Sequence, residues 1–186
     1  MPYRFAALLC ILLFCSGCIT TRMTTSFDPQ ASPTPRHTWV MGAPIQELDY
    51  RMALERNTCR VWREAADGID VTCLSEIIPP TRDLPDTAVL LEQLHDRGCD
   101  AYLEIQLIGL DTALSGGSFR ENLFSSDDER RARFQVRLWE PQTGRCIWTG
   151  TSQLEGLEIH SFRDFARALA QRTCLELSRR GLLPTQ

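Results

Sequence analysis

Residues 101–110 read AYLEIQLIGL, and this stretch decides the fold that we expect. Apolar side chains recur at every second position, at Ala101, Leu103, Ile105 and Leu107. Because successive side chains of a strand point to opposite faces of a sheet, this alternation predicts a β-strand with one buried face. It is the clearest strand pattern in the chain, so we place it at the centre of the predicted sheet.

Two more strands are predicted further along the chain, at residues 133–140 and 145–152. They flank Pro-Gln-Thr-Gly, in which Pro and Gly suit a four-residue turn. The pattern indicates a β-hairpin with one apolar side, formed by Phe134, Val136, Leu138 and Ile147. Counting back from the turn puts Arg137 opposite Trp148, so we predict a cation–π contact on the outer face.

A first hairpin is predicted before the central strand. Residues 58–64 and 69–76 alternate in polarity and flank Ala-Ala-Asp-Gly, and Asp-Gly between such runs favours a tight turn. If Cys59 opposes Cys73 across this hairpin, the two form a disulfide. A bulge at Gly68 would shift the register and leave two buried thiols instead, and the residues leave both alternatives open.

The remaining periodic segments complete an α+β domain. A strand is predicted at residues 37–43, and helices are predicted at residues 44–57, 83–98 and 161–181, the last two with Asp83 and Ser161 as N-caps. We therefore expect one domain at residues 37–183. It has a single mostly antiparallel sheet of five to six strands, with two to three helices packed on one face.

The amino terminus has the pattern of a bacterial secretory signal. Arg4 is followed by an apolar run at residues 5–14, which is too short to span a bilayer as a helix. Ser16 and Gly17 then precede Cys18, and this exit resembles the lipobox of bacterial lipoproteins, although Cys15 stands where the family usually has Leu. The resemblance implies that residues 1–17 are a signal peptide and that Cys18 is lipidated. By resemblance to the sorting rules of Gram-negative lipoproteins, Ile19, which is not Asp, favours the outer membrane, with the domain facing the periplasm.

Residues 18–36 are rich in Thr, Ser and Pro and show no apolar periodicity. We interpret them as a flexible tether that begins with the lipidated Cys18 and that holds the domain near the membrane without fixing its orientation. The stretch from Phe27 to Pro29 is the part that could pack on the domain.

Charge and composition exclude several kinds of chemistry. The chain has 20 basic residues, all arginine, and 24 acidic ones. Removal of the signal takes away Arg4 and leaves a net charge of −5, which gives no reason to expect nucleic acid as a partner. Without lysine, neither a Schiff base nor a lysine-bearing phosphate loop can form.

No catalytic or metal-binding pattern is visible. The histidines, at 37, 95 and 160, do not stand at zinc spacing with one another or with cysteine, and we expect neither a metal nor a cofactor. We therefore expect a protein that is not an enzyme. Five cysteines follow Cys18, and this odd number leaves one thiol over, so a thiol-dependent redox factor is the alternative, beside a binder of small ligands in an apolar pocket.

Residues 111–131 predict a long loop inside the domain. Loops of this length are uncommon in compact domains and often functional. One interpretation is a loop that only projects from the surface of the domain. The other is a partner-binding loop that carries Phe119, Leu123 and Phe124.

The strand at residues 101–105 and the hairpin FQVRLWEPQTGRCIW at residues 134–148 resemble a block of small envelope lipoproteins. These include the activators of penicillin-binding proteins and the amino-terminal domain of the Tol-system propeller protein. Glu140 stands where those proteins often have Asp. The resemblance implies a fold and no catalytic residue. It supports the expectation of an outer-membrane lipoprotein that presents a non-enzymatic binding or assembly module to envelope proteins.

Overall fold

The computed structural model describes residues 20–45, 47–66, 68–79, 85–112, 130–156 and 162–184. Within these ranges the chain forms six strands and four helices. The strands are β1 (Thr20–Phe27), β2 (Thr38–Gly42), β3 (Asp70–Cys73), β4 (Ala101–Thr112), β5 (Arg130–Glu140) and β6 (Arg145–Gly156). The helices are α1 (Leu48–Ala65), α2 (Leu74–Ile77), α3 (Thr87–Asp96) and α4 (Phe162–Arg179).

All six strands belong to one sheet in the order β1-β6-β5-β4-β2-β3. The pairs β1/β6, β6/β5 and β5/β4 are antiparallel, whereas β2 is parallel to both β3 and β4. This confirms the predicted α+β fold with a mostly antiparallel sheet. It also confirms the central place of β4, which pairs with β5 on one side and with β2 on the other.

The predicted first hairpin is wrong, because α1 continues through Ala65 and takes in the whole of its first strand. Thr58, Val61 and Trp62 are buried along one side of this helix, at spacings of three and four residues from Leu54 and from one another. Residues 58–62 are rich in β-branched and aromatic side chains, which explains why they resemble a strand. Only Asp70–Cys73 forms a strand in the second half, and it runs parallel to β2.

The two crossover connections explain why the helices lie on both faces of the sheet. From β2 the chain passes through α1 to β3 at the sheet edge, and then returns through α2 and α3 to β4 on the other side of β2. Parallel crossovers have one preferred hand, so two that travel in opposite directions place their helices on opposite faces.

The two apolar clusters follow this division. On the first face α1 and α4 cover a core that includes Trp39, Leu103 and Leu138. On the second face α3 buries Leu90, Leu91 and Leu94 against Val40 and Tyr102. The expectation that all helices pack on one face is therefore wrong for α3.

The β5–β6 hairpin is confirmed, with Glu140 opposite Arg145. The predicted contact between Arg137 and Trp148 is wrong, since the register shifts between Leu138 and Trp139. The shift places Leu138 opposite Trp148 and Arg137 opposite Thr149, so the indole of Trp148 turns into the core with 1% of its surface exposed.

The disulfide between Cys59 and Cys73 is present, but it links α1 to β3 and does not cross a hairpin. Its Cα atoms lie 5.9 Å apart, within the range that a disulfide spans. The bridge fastens the edge strand β3 to the helix that precedes it. Of the two alternatives left open by the sequence, the structure thus has the disulfide.

The start of α3 also differs from the prediction. Asp86, and not Asp83, caps α3, and its carboxylate accepts a hydrogen bond of 2.8 Å from the backbone N–H of Ala88. Asp83 and Ser161 lie outside the described residues. Gly181, with φ of +68°, ends α4 as predicted, and the N–H of Leu182 then donates to the carbonyl of Leu177.

Gly150 is required by the packing of Trp148. A β-carbon at residue 150 would lie 2.5 Å from the indole of Trp148, which lies across this glycine on the first face. We expect Gly150→Ala to lower the free energy of unfolding by about 1–3 kcal/mol, because the indole must move within a packed core. Urea denaturation measures the change.

The matched control is Thr151→Ala, one residue further on the exposed side of β6, with an expected loss below about 1 kcal/mol. If Gly150→Ala unfolds at the same urea concentration as the parent protein, the indole does not lie against residue 150.

Candidate functional site: an anchored edge strand and a polar sheet face

The segment that directly follows Cys18 is a strand of the sheet, which corrects the predicted tether at residues 18–36. β1 pairs with β6 along its whole length, from Thr20 opposite Glu155 to Phe27 opposite Trp148. Met23 and Phe27 pack against the first-face core, while Thr24 and Ser26 point to the other face. The Thr-rich alternation was the available signal, since threonine favours strands.

Residues 28–36, which we call the strap, are also held in place. Near its start the N–H of Asp28 donates to the carbonyl of Ile147 over 3.0 Å, and the Asp28 carboxylate pairs with Arg145. At its other end Arg36 is 4% exposed and forms an ion pair with Glu140. Phe27 and Asp28 therefore contact the domain, as the sequence allowed, and the strap is held again at Arg36.

Arg36 connects three parts of the fold. Its N–H donates to the carbonyl of Leu182 after α4, its own carbonyl accepts the indole N–H of Trp39 over 2.8 Å, and its guanidinium reaches Glu140 at the end of β5. A buried arginine must have such partners, because an unpaired buried charge is costly. The strap thus ties β1 to the end of the sheet where β2 begins.

The charge state of Glu140 depends on this arrangement. Partial burial by itself raises the pKa of the Glu140 carboxyl, but hydrogen bonds from Thr143 and Arg36, with the charges of Arg36 and Arg145, outweigh it. The net effect lowers the pKa of Glu140 below its ordinary value. The carboxylate is therefore held ionised where it can pair with the strap.

Cys18, the predicted lipidation site, lies outside the described residues, and only Ile19 separates it from β1. Two peptide units extend over about 7 Å at most, so Thr20 and Cys18 are near neighbours whatever the conformation between them. Cleavage before Cys18 would leave every described strand of the sheet intact.

The second face of the sheet is polar over β1, β6, β5 and the adjoining part of β4. In the described residues no helix packs on this region, since the cluster of α3 lies at β2 and at the start of β4. Its side chains form successive rows across the strands. The rows are Arg22, Gln153 and Arg133; then Thr24, Thr151, Gln135 and Gln106; then Ser26, Thr149 and Arg137. We call this region the polar face.

At the border of the polar face, Glu104 is buried and hydrogen-bonded. Its carboxylate accepts the indole N–H of Trp139 over 2.7 Å and lies 3.5 Å from the guanidinium of Arg137. Arg22, Thr24, Arg133 and Thr151 are exposed. The face therefore carries hydroxyl, amide and guanidinium groups, which suit hydrogen bonding to a partner.

From the sequence, Glu55 was predicted only to lie on the first helix, and its burial was not predicted. Glu55 on α1 is 3% exposed and accepts a hydrogen bond of 2.7 Å from the N–H of Ser75 in α2. Burial raises the pKa of Glu55, although bonds from Ser75 and Ala43 and the charge of Arg51 oppose this. The carboxyl ties α1 to the segment after β3, so its role is structural.

Two of the three free cysteines in the described residues have raised thiol pKa values. Cys99 and Cys174 are shielded, and burial raises the pKa of the Cys99 thiol and that of Cys174, the latter to about 12. Such thiols are protonated near neutral pH and react poorly. Cys146 is half-buried, and its sulfur lies 3.4 Å from the carbonyl of Trp148.

The other predicted site residues are dispersed or not described. His95 is exposed on α3, and His37 contacts the carbonyl of Gly68 through Nδ1 over 3.2 Å. In the part of the chain that the structure describes, no three His, Cys, Asp or Glu side chains lie close enough to hold a metal ion. The residues proposed for a partner-binding loop, Phe119, Leu123 and Phe124, and also His160, lie outside the described residues.

No described helix is long and apolar enough to cross a membrane. Comparison by sequence finds no protein-family model and no curated protein that matches this chain.

Comparison by structure finds similar folds. PelC from Paraburkholderia phytofirmans, crystallised as a dodecamer, has a TM-score of 0.53 and 14% identity over 89% of this chain and 100% of that one. A single-substitution variant of PelC gives 0.52 and 17% identity over 86% and 98%. The lipoprotein GNA1162 from Neisseria meningitidis gives 0.44 and 18% identity over 78% and 99%. At these identities the likeness to PelC shows a shared fold.

The ion pair between the strap and β5 makes a testable contribution to stability. We expect Glu140→Gln to lower the free energy of unfolding by about 1–2 kcal/mol at neutral pH, because it removes the charge that pairs with buried Arg36. The folded-state pKa of Glu140 is lowered, so the contribution is complete above its ordinary pKa of 4.5 and is lost as pH falls through the lowered value. Urea denaturation at pH 7 and at about pH 3 measures both effects.

Glu64, exposed near the end of α1, provides the control. Glu64→Gln should leave the stability almost unchanged at both pH values. A stability difference between parent and Glu140→Gln that is equally large at both pH values would contradict the ionic role of Glu140.

Proposed function

We propose that this protein is an outer-membrane lipoprotein, anchored through acyl chains on Cys18, whose periplasmic domain is a non-enzymatic binding or assembly module. The observation that carries the proposal is the position of β1. The described sheet begins at Thr20, directly after the lipobox-like Ser16-Gly17-Cys18, so processing there removes the signal and leaves the sheet complete. The cysteines that follow Cys18 all lie in the described part of the domain.

The binding role is supported by the polar face. It extends over four strands, and its hydrogen-bonding side chains share one face of the sheet. The redox alternative has less support, because burial raises the pKa of the Cys99 and Cys174 thiols and because Cys59 and Cys73 are joined to each other. The partners that we propose are envelope proteins, among which a second copy of this chain is included, since PelC, with a similar fold, forms a dodecamer.

The lipid anchor is tested by substitution of Cys18. We expect Cys18→Ser to lose incorporation of a palmitate analogue entirely and to accumulate with its signal uncleaved, because the thiol that receives the lipid is absent. Metabolic labelling followed by mass spectrometry of the amino terminus measures both effects. Cys10→Ser is the matched control and should be labelled like the parent, since bulky Leu9 precedes Cys10. Equal labelling of Cys18→Ser and the parent would contradict the proposal.

The binding role is tested by a photo-crosslinking amino acid at Thr151, in the middle of the polar face. We expect specific adducts in intact cells, because this side chain is exposed on the surface that we assign to partners. The control position is Gln171, exposed on α4. An adduct with the mass of two chains would identify a second copy as the partner. The same adducts at both positions, or none at Thr151, would contradict a binding role for the polar face.

A further inference from the structure

The geometry points to a fixed orientation of the domain on the membrane: we infer that one end of the sheet faces the phospholipid surface and that the strap points away from it. This inference rests on the proposed lipid anchor at Cys18. It goes beyond that proposal because an anchor alone does not orient a domain. The orientation follows from how β1 is joined to the anchor and to the rest of the sheet.

The first step is the length of the connection. Thr20 is already paired with Glu155 of β6, and its Cα lies within about 7 Å of the Cα of Cys18. The acyl chains on Cys18 insert into the bilayer, so the cysteine itself lies at the lipid surface. The start of β1 must then lie at that surface as well.

The second step is the register of the sheet. The row that contains Thr20 continues through Glu155 on β6 and Arg131 on β5 to Asp111 on β4. These four backbone positions define what we call the anchor end. Because hydrogen-bonded strands lie about 4.8 Å apart, the whole row lies within about 15 Å of Thr20, so this end of the four-stranded region is directed towards the lipid.

The third step is the distance to the opposite end. Strands rise about 3.3–3.4 Å per residue, so Phe27 lies roughly 23 Å from Thr20 along the sheet. Beyond Phe27 come the strap and the β5–β6 turn, which are joined to each other through Arg145 and Asp28 and through Arg36 and Glu140. These elements form the end that faces the periplasm.

Helix α4 makes the same span rigid. Its 18 residues cover about 27 Å along the helix axis, which matches the length of β1. The segment after it lies at the strap, where Leu182 accepts from the N–H of Arg36 and the guanidinium of Arg180 lies 5.8 Å from the ring of Phe27. A strand and a helix of similar length thus connect the two ends.

The test measures the height of single labels above a membrane. The acylated full-length protein is placed in phosphatidylcholine vesicles that carry a fluorescent acceptor on some headgroups. A donor dye is attached at Arg22→Cys, near the anchor end, or at Ser32→Cys, in the strap, and both positions are exposed. The background variant is Cys146→Ser, and it must take up no dye itself. Energy transfer to the surface then reports each height.

We expect the label at residue 32 to lie at least about 15 Å further from the lipid than the label at residue 22, since five strand residues and part of the strap separate them. The control inserts twenty Gly and Ser residues between Ile19 and Thr20. A flexible chain of that length spans roughly 25 Å on average, so the two heights should become nearly equal. Thermal unfolding of the insertion variant confirms that its domain is folded.

Two results would overturn the inference while leaving the lipid anchor intact. One is a vesicle-bound protein with both labels at the same height. The other is a height difference that the inserted linker does not change, because another contact would then set the orientation. A protein that does not bind vesicles at all would overturn the lipid anchor and the orientation with it.

Discussion

The pairing of β1 with β6 is the interaction on which the rest of the structure depends. It adds a sixth strand to the sheet, and it gives the backbone N–H and C=O groups on that side of β6 their partners. It also covers the core with Met23 and Phe27. Because β1 begins two residues after Cys18, the same pairing turns a stretch that resembles a linker into a rigid part of the domain.

The strap makes this pairing cooperative with the core. Asp28 and Arg36 are eight positions apart at its start and end, and each forms an ion pair with a residue beside the β5–β6 turn. Arg36 holds the strap more firmly than Asp28, because its guanidinium is buried and desolvated and its backbone also bonds to Trp39 and Leu182. Loss of β1 from the sheet would free the start of the strap, so edge strand, strap and turn stabilise one another.

Features that depend on neighbouring residues were predictable from the sequence. β4 and the β5–β6 hairpin need only alternation and a turn, and both are present as expected. The register shift beside Trp139 has no local signal, and it was enough to move Trp148 from the predicted outer face into the core.

Features that depend on distant partners were not predictable in this way. β1 pairs with a strand more than 120 residues away, and its Thr-rich sequence is also typical of a linker. In α1, residues 58–62 satisfy both strand and helix patterns. The helix is favoured because it stacks Trp62 on Trp39, with ring centroids 5.5 Å apart, and buries Leu54 and Val61 beside them. The polar face could not be predicted without the order of the strands in the sheet. Neither composition nor periodicity gives that order.

The orientation proposed for the domain gives the polar face a definite relation to the membrane. The strands run from the anchor end to the strap. In the proposed orientation the sheet is therefore perpendicular to the lipid surface, and its polar face is directed along the plane of the membrane. With the proposed anchor, a partner held in the same membrane would meet this face at a high effective concentration, because the anchor would confine both proteins to a thin layer. With a long flexible linker all faces would meet partners equally, and selection would rest on affinity alone. The short connection between Cys18 and Thr20 therefore favours recognition between neighbours in the membrane.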